Sequence, residues 1–352
     1  MVMCASFGAL RGNRHRVVAS AKFQISINAS LLTAAAGWGY QHGEPFSPEP
    51  CPMSLDRLAP AVFVLLWSTG WVVAKYASLH SEPFTFLSIR YALSAAAFLA
   101  LCLVVRAQWP NSRAAALRAV YSGFFLHGFY LAGLWWAIAN GVPAGISGII
   151  AALQPLLTAM AAPFLIGERL QQAQKLGLAL GFIGIAIAIS PKLLDPATAD
   201  LTHAALPLAI NLVAMASVTY GTLYQKKHLQ SGDLRTIATL QYIGALILTL
   251  PLSLIFEHQH FDGAAQAYGA LAWSVFGLSM GGVGLLLHLI RRGQVSRAAS
   301  LIYLMPPAVA LEAFIAFGEP LTLPLIVGTV VVVTGVYLTN RKAFSEHRPA
   351  EA

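Results

Sequence analysis

The sequence predicts an all-α integral membrane protein of ten transmembrane helices, arranged as two inverted five-helix repeats. Three observations carry this. Hydrophobic residues make up 57% of the 352 positions and charged residues 10%, against about a quarter charged in a soluble globular domain, so lipid is the chain's main solvent. Ten apolar runs follow one another, and at 1.5 Å per residue a run of about 20 residues crosses a hydrocarbon core about 30 Å thick. The chain also matches itself when shifted by 151 residues.

The runs lie near residues 58–79, 84–105, 118–140, 144–166, 173–191, 204–225, 235–256, 268–290, 296–317 and 322–340. Helix 1 holds Trp67 and Gly70 and ends near Lys75. Helix 2 opens after Glu82-Pro83 and carries Arg90 about two turns in. Helix 3 carries His127, Tyr130 and Trp135-Trp136, and helix 4 is interrupted by Pro155. Helix 5 has glycines at 177, 181 and 184. Helices 6 and 7 bring Tyr220, Tyr224, Gln241 and Tyr242. Helix 9 holds Pro306-Pro307 and Glu312, and helix 10 has Gly328 and Gly335. The runs are continuously apolar, whereas strands of a membrane barrel alternate over about ten residues.

Positively charged connections stay in the cytoplasm. Fifteen Lys and Arg, from Arg57 to Arg348, fall in connections on the side where helix 1 begins, and only Lys192 falls on the other. Glu82, Asp195, Asp200, Glu257, Asp262 and Glu319 lie on or at the edge of that second side. Both termini are therefore expected in the cytoplasm, with the chain multi-pass in a bacterial inner membrane. The net charge of +8 is read as topological, because its Lys and Arg come in twos and threes between apolar runs; no nucleic-acid partner is expected. Cys4, Cys51 and Cys102 form no CxxC pattern and have no His at metal spacing, so neither disulfides, a metal nor a cofactor is expected. Residues 1–52, basic and then Pro-rich, read as a disordered tail or a start assigned too early; 342–352 reads as a cytoplasmic tail.

The 151-residue shift superimposes Gly70 on Gly221, Lys75 on Lys226, Tyr91 on Tyr242, Pro155 on Pro306, and Gly167-Glu168 on Gly318-Glu319. Shared hydrophobicity would match Leu and Ala, not Gly-Glu pairs and prolines. A unit of five spans is odd, so the second copy, 204–341, enters the membrane from the side opposite to the first, 58–191. Inverted repeats are a transporter design, because two mirror-related packings supply two access states.

Leu66-Trp67-Ser68-Thr69-Gly70-Trp71 with Lys75, Glu82-Pro83, Arg90-Tyr91, and Gln154-Pro155 through Gly167-Glu168-Arg169-Leu170 to Gly184 resemble the EamA family of the drug/metabolite transporter superfamily. The resemblance covers roughly residues 58–341 and departs at Gln241, where the first repeat has Arg90. It implies ten spans, cytoplasmic termini and secondary transport, often export of amino acids or related metabolites. It does not fix a substrate.

Ionisable residues inside spans are costly and usually face a pathway. Arg90 is expected to hold a substrate carboxylate bidentately, or else to pair structurally with Glu312 or with carbonyls. Glu312 is the candidate for proton coupling, and His127 is an alternative carrier or a satisfied structural residue. Lys75 either contributes to substrate binding or snorkels outward. Trp67, Tyr130, Trp135, Trp136, Tyr220, Tyr224 and Tyr242 line a pocket or anchor the interface. Gln154, beside Pro155, and Gln241 complete the candidate lining. The glycines of helices 5 and 10 read as packing positions.

Two other classes compete. Gly145-Ile146-Ser147-Gly148 spells the GxSG of rhomboid-like intramembrane proteases, but helix 6 carries no mid-span His to serve as base. A non-transporting scaffold is compatible with the repeat, yet has no need of charges and prolines inside the bilayer. The expected partners are a small-molecule substrate and the lipid bilayer, with a homodimer left open.

Overall fold

The computed structural model describes residues 55–166, 171–194, 201–229, 232–291 and 304–345. The N-terminal segment, Glu168, Arg292, Arg297 and the last residues lie outside these. The described residues form ten helical spans: α1 (Leu55–Ser78), α2 (Pro83–Val104), α3 (Arg113–Gly123, a π turn Phe124–Phe129, then Tyr130–Ala139), α4 (Ala144–Ala151 and Leu153–Ile166), α5 (Gln172–Leu194), α6 (Leu201–His228), α7 (Leu234–Phe256), α8 (Ala265–Ala272, a π segment Trp273–Gly281, then Gly282–Arg291), α9 (Met305–Phe317) and α10 (Leu323–Ser345).

Local chemistry sets the ends. Pro83 occupies the first turn of α2, where its missing N–H costs nothing. Ser112 accepts the Ala115 N–H at the start of α3, and Asp233 accepts the Arg235 N–H at the start of α7. Gly318 stops α9 in the left-handed region, φ 67°. Pro155 lacks an N–H and its ring crowds the carbonyl of residue 151, so α4 breaks at Ala152. In α9 the described helix begins at Met305, which places Pro306 and Pro307 in its first turn rather than in mid-helix.

Among the described residues seven helices are long and apolar enough to cross a membrane, and 305–317 and 323–339 are shorter apolar helices. The third span is apolar as well, but its π turn divides it. The two π segments are repeat equivalents, since 124–129 shifted by 151 falls at 275–280. Sequence periodicity did not signal them. An inserted residue is invisible where the whole run is apolar.

Packing follows the repeat. α2 packs on α7, α5 on α10, and α4 on α9, each pair mapping onto itself; α1 on α8 and α3 on α6 exchange under the 151-residue shift. Glycines bring the paired backbones together. A Cβ on Gly177 would lie 2.5 Å from the Gly335 carbonyl oxygen, and one on Gly184 2.8 Å from that of Gly328. Around this core, side chains such as Val104, Leu254, Ile315 and Leu323 stay exposed, which suits a lipid-facing belt.

Candidate functional site

The site is built where α2 and α7 cross. Tyr91 and Tyr242 are repeat equivalents, and their rings stack at 6.0 Å, so the pseudo-two-fold passes between them. Phe98 stacks on Tyr242 at 5.7 Å. Next to Tyr91, Arg90 is 7% exposed, and its guanidinium lies 5.9 Å from the Tyr91 ring and 5.7 Å from Trp135. Its Nε has no hydrogen-bond partner, and among the described residues no carboxylate forms an ion pair with it. The structural pair with Glu312 is therefore not formed here. Trp135 is itself buried against Phe86, the ring centroids 5.2 Å apart.

The π turn of α3 completes this wall. The His127 carbonyl, which accepts a backbone N–H at the end of the turn, also accepts the Tyr91 hydroxyl at 2.9 Å, and the His127 ring stacks on Tyr242 at 5.0 Å. Gln241, the counterpart of Arg90, donates through Nε2 to Ser122 Oγ at 3.0 Å and to Gln225 Oε1 at 3.1 Å. The two halves thus place a cation on one side of the axis and a neutral amide on the other.

Glu312 stands on a second wall, formed by α1 and α9. Ser68 donates to its Oε1 at 2.6 Å, and its Oε2 is buried without a partner. Two turns further along both helices, Lys75 forms an ion pair with Glu319. Ser68 and Glu312 recur in register with Lys75 and Glu319, so α1 and α9 run parallel.

The remaining candidates are placed elsewhere. Trp67 is 46% exposed against Phe63, and Tyr220 is 44% exposed in an aromatic group with Tyr121, Phe125 and Tyr224. Gln154, at the break of α4, donates to Thr222 on α6 at 3.3 Å. Two buried polar atoms escaped the sequence reading. Trp71 Nε1 and Asn211 Oδ1 have no partner, and only side-chain orientation could have distinguished them from ordinary packing residues. Ser147 of the GxSG spelling is fully buried and accepts the Asn211 amide at 2.8 Å, a donor that cannot serve as a base. No cluster of metal-ligating residues occurs among the described residues.

At the end of the bundle that carries Glu82, Glu257 and Glu319, here called the acidic face, the connections 79–82 and 257–264 are stitched together. Ser81 bridges Phe261, and Glu82 accepts the N–H groups of His260 at 2.9 Å and His258 at 3.2 Å. Those bonds outweigh partial burial and hold the Glu82 carboxyl below its ordinary value. The Ala264 N–H and the His80 side chain, the latter at 2.6 Å, hold Asp262 low. Glu257 accepts the Phe84 and Thr85 N–H groups at the start of α2, yet burial raises its carboxyl.

The description "EamA-like transporter family" matches residues 58–190 and 206–341. The chain belongs to that family. An uncharacterized transporter of Bacillus subtilis is 26% identical over 85% of this chain and 96% of its own. A probable amino-acid metabolite efflux pump of Salmonella typhimurium is 28% identical over 80% of this chain and 94% of its own. A probable terminal-alkyne amino-acid exporter of Streptantibioticus cattleyicolor is 27% identical over 59% and 68%. One solved crystal structure, 18% identical, covers 84% of this chain and 100% of its own with a TM-score of 0.55, a likeness of fold. As an EamA-like chain, this is a multi-pass membrane transporter.

Proposed function

We propose that this EamA-like protein exports amino acids or related small metabolites by alternating access between its two repeats, with the substrate carboxylate held by Arg90. The observation that carries the reading is the Arg90 guanidinium, buried beside the stacked Tyr91–Tyr242 pair and near Trp135 without a carboxylate partner among the described residues. An uncompensated buried cation costs several kcal/mol, and an arriving carboxylate recovers part of that cost through paired charge-assisted hydrogen bonds. The names of the efflux-pump and exporter relatives support the same substrate class. Glu312 is the proposed proton carrier, because its second oxygen is buried and unpaired. The basic connections are proposed to face the cytoplasm.

Counterflow in proteoliposomes loaded with mixed amino acids and other small metabolites, read by mass spectrometry, tests this. Wild type should exchange a zwitterionic or anionic species, and Arg90→Gln should lose that exchange by about tenfold or more, the worth of one charge-assisted pair. Unimpaired exchange of an anionic species by folded Arg90→Gln would remove Arg90 from the site.

A further inference from the structure

Glu319 does more than pair with Lys75. It follows Gly318, whose left-handed conformation turns the chain at the end of α9. There its Oε1 accepts the Ala144 N–H at 3.0 Å and its Oε2 accepts the Gly145 N–H at 3.1 Å. These are the first amides of α4, which the preceding Pro143 leaves without a side-chain cap of their own. One carboxylate therefore ties together the acidic-face ends of three helices: α9, which carries it, α1 through Lys75, and α4 through its N-terminus.

The segment so held is a half-helix. Ala144–Ala151 is separated from the rest of α4 by the break at Ala152, and every residue from Ala144 to Ile150 is buried. It lies against α9 with no slack. A Cβ on Gly148 would come within 2.6 Å of Val309, and one on Gly145 within 3.5 Å of the Ala310 Cα. Phe317 adds to the seal, with Lys75 over its ring at 5.1 Å and Tyr76 at 5.0 Å. A short rigid segment, a proline-made hinge at its inner end and a charged tie at its outer tip are the parts of a gate.

We propose that Glu319 is the bolt of that gate, and that the acidic-face entrance opens when Glu319 releases Lys75 and the first amides of α4, letting residues 144–151 swing about the break at Ala152. The proposal rests on the transporter reading for its purpose, but its test does not require transport. The ties are charge-assisted, and each such bond lost shifts the closed-to-open balance by roughly tenfold or more.

The experiment uses the full-length chain in lipid nanodiscs, where both faces are reachable, with Cys4→Ala and Cys51→Ala. Val309→Cys probes the seam, since Val309 is fully buried between α9 and α4. The native Cys102, 1% exposed in the α2–α7 contact, is the internal control. Labelling by a water-soluble maleimide is read peptide by peptide. Glu319→Gln should speed labelling at position 309 about tenfold or more and leave Cys102 slow. Lys75→Met, which keeps both amide bonds, should give a smaller increase. Equal rates at position 309 in all three proteins would overturn the proposal, and so would parallel acceleration at Cys102, which signals general loosening. A Glu319→Gln protein that opens while wild type moves nothing in counterflow would keep the gate and refute the transport reading instead.

Discussion

A buried guanidinium and a half-buried carboxylate in the same apolar bundle would ordinarily find one another, and here they do not. Arg90 lies near the Tyr91 and Trp135 rings and Glu312 takes a bond from Ser68, leaving one buried atom of each unpaired. In the proposed mechanism each receives a small partner that comes and goes: an anion at Arg90, a proton at Glu312. Glu312→Gln should therefore keep exchange at equal pH on both sides but lose most of the acceleration that a pH gradient gives wild type. A mutant that retained the full gradient dependence would end the proton-coupling proposal. Both residues were legible in the sequence, because a charge inside an apolar run is conspicuous without any structure. Trp71 and Asn211 were not. Indole and amide groups are common in packed helices, and their unsatisfied state exists only in three dimensions. Trp67 and Tyr220 are less decided: as aromatics in spans they are eligible to line a pocket or to face lipid, and their exposure of 46% and 44% fits both.

Among the elements, the connections on the acidic face are heavily cross-linked, and their carboxylates give that face an acid limit. Glu82 and Asp262 have lowered values, so the stability they contribute is present above the ordinary carboxylate range of roughly 4 and is lost as pH falls through their folded values. Glu257 has a raised value and acts with the opposite sign. What it contributes is present at low pH and fades as pH rises through its folded value. Below the ordinary carboxylate range the contribution of Glu257 is already complete and only the losses at Glu82 and Asp262 continue, so the melting temperature of the purified protein should fall as pH drops from about 4 to about 3. In Glu82→Gln the melting temperature near neutrality should be lower and its acid slope shallower. An unchanged slope would show that the clasp makes no contribution to acid sensitivity. The helices these connections join were readable from hydropathy, but the stitching was not: no periodicity relates residues 79–85 to residues 253–264.

For the whole molecule, the inverted repeat supplies a backbone with two equivalent halves, while the side chains break the equivalence. Tyr91 and Tyr242 stack across the axis, yet beside them Arg90 faces a counterpart in Gln241, and Glu312 corresponds in the repeat to Ala161. If the axis passes through the substrate site, the cation should work from either side of it, because a bound carboxylate on a two-fold is reached equally by residue 90 and residue 241. The double variant Arg90→Gln, Gln241→Arg should therefore recover a measurable part of the binding lost by Arg90→Gln alone, read as substrate-dependent thermal stabilisation. Recovery will be incomplete, since Gln241 gives up its bonds to Ser122 and Gln225 and the relocated guanidinium lacks Trp135 beneath it. A double variant as weak as the single one would place the carboxylate off the axis, bound by the first repeat alone, and the two access states would then present unequal sites to the substrate.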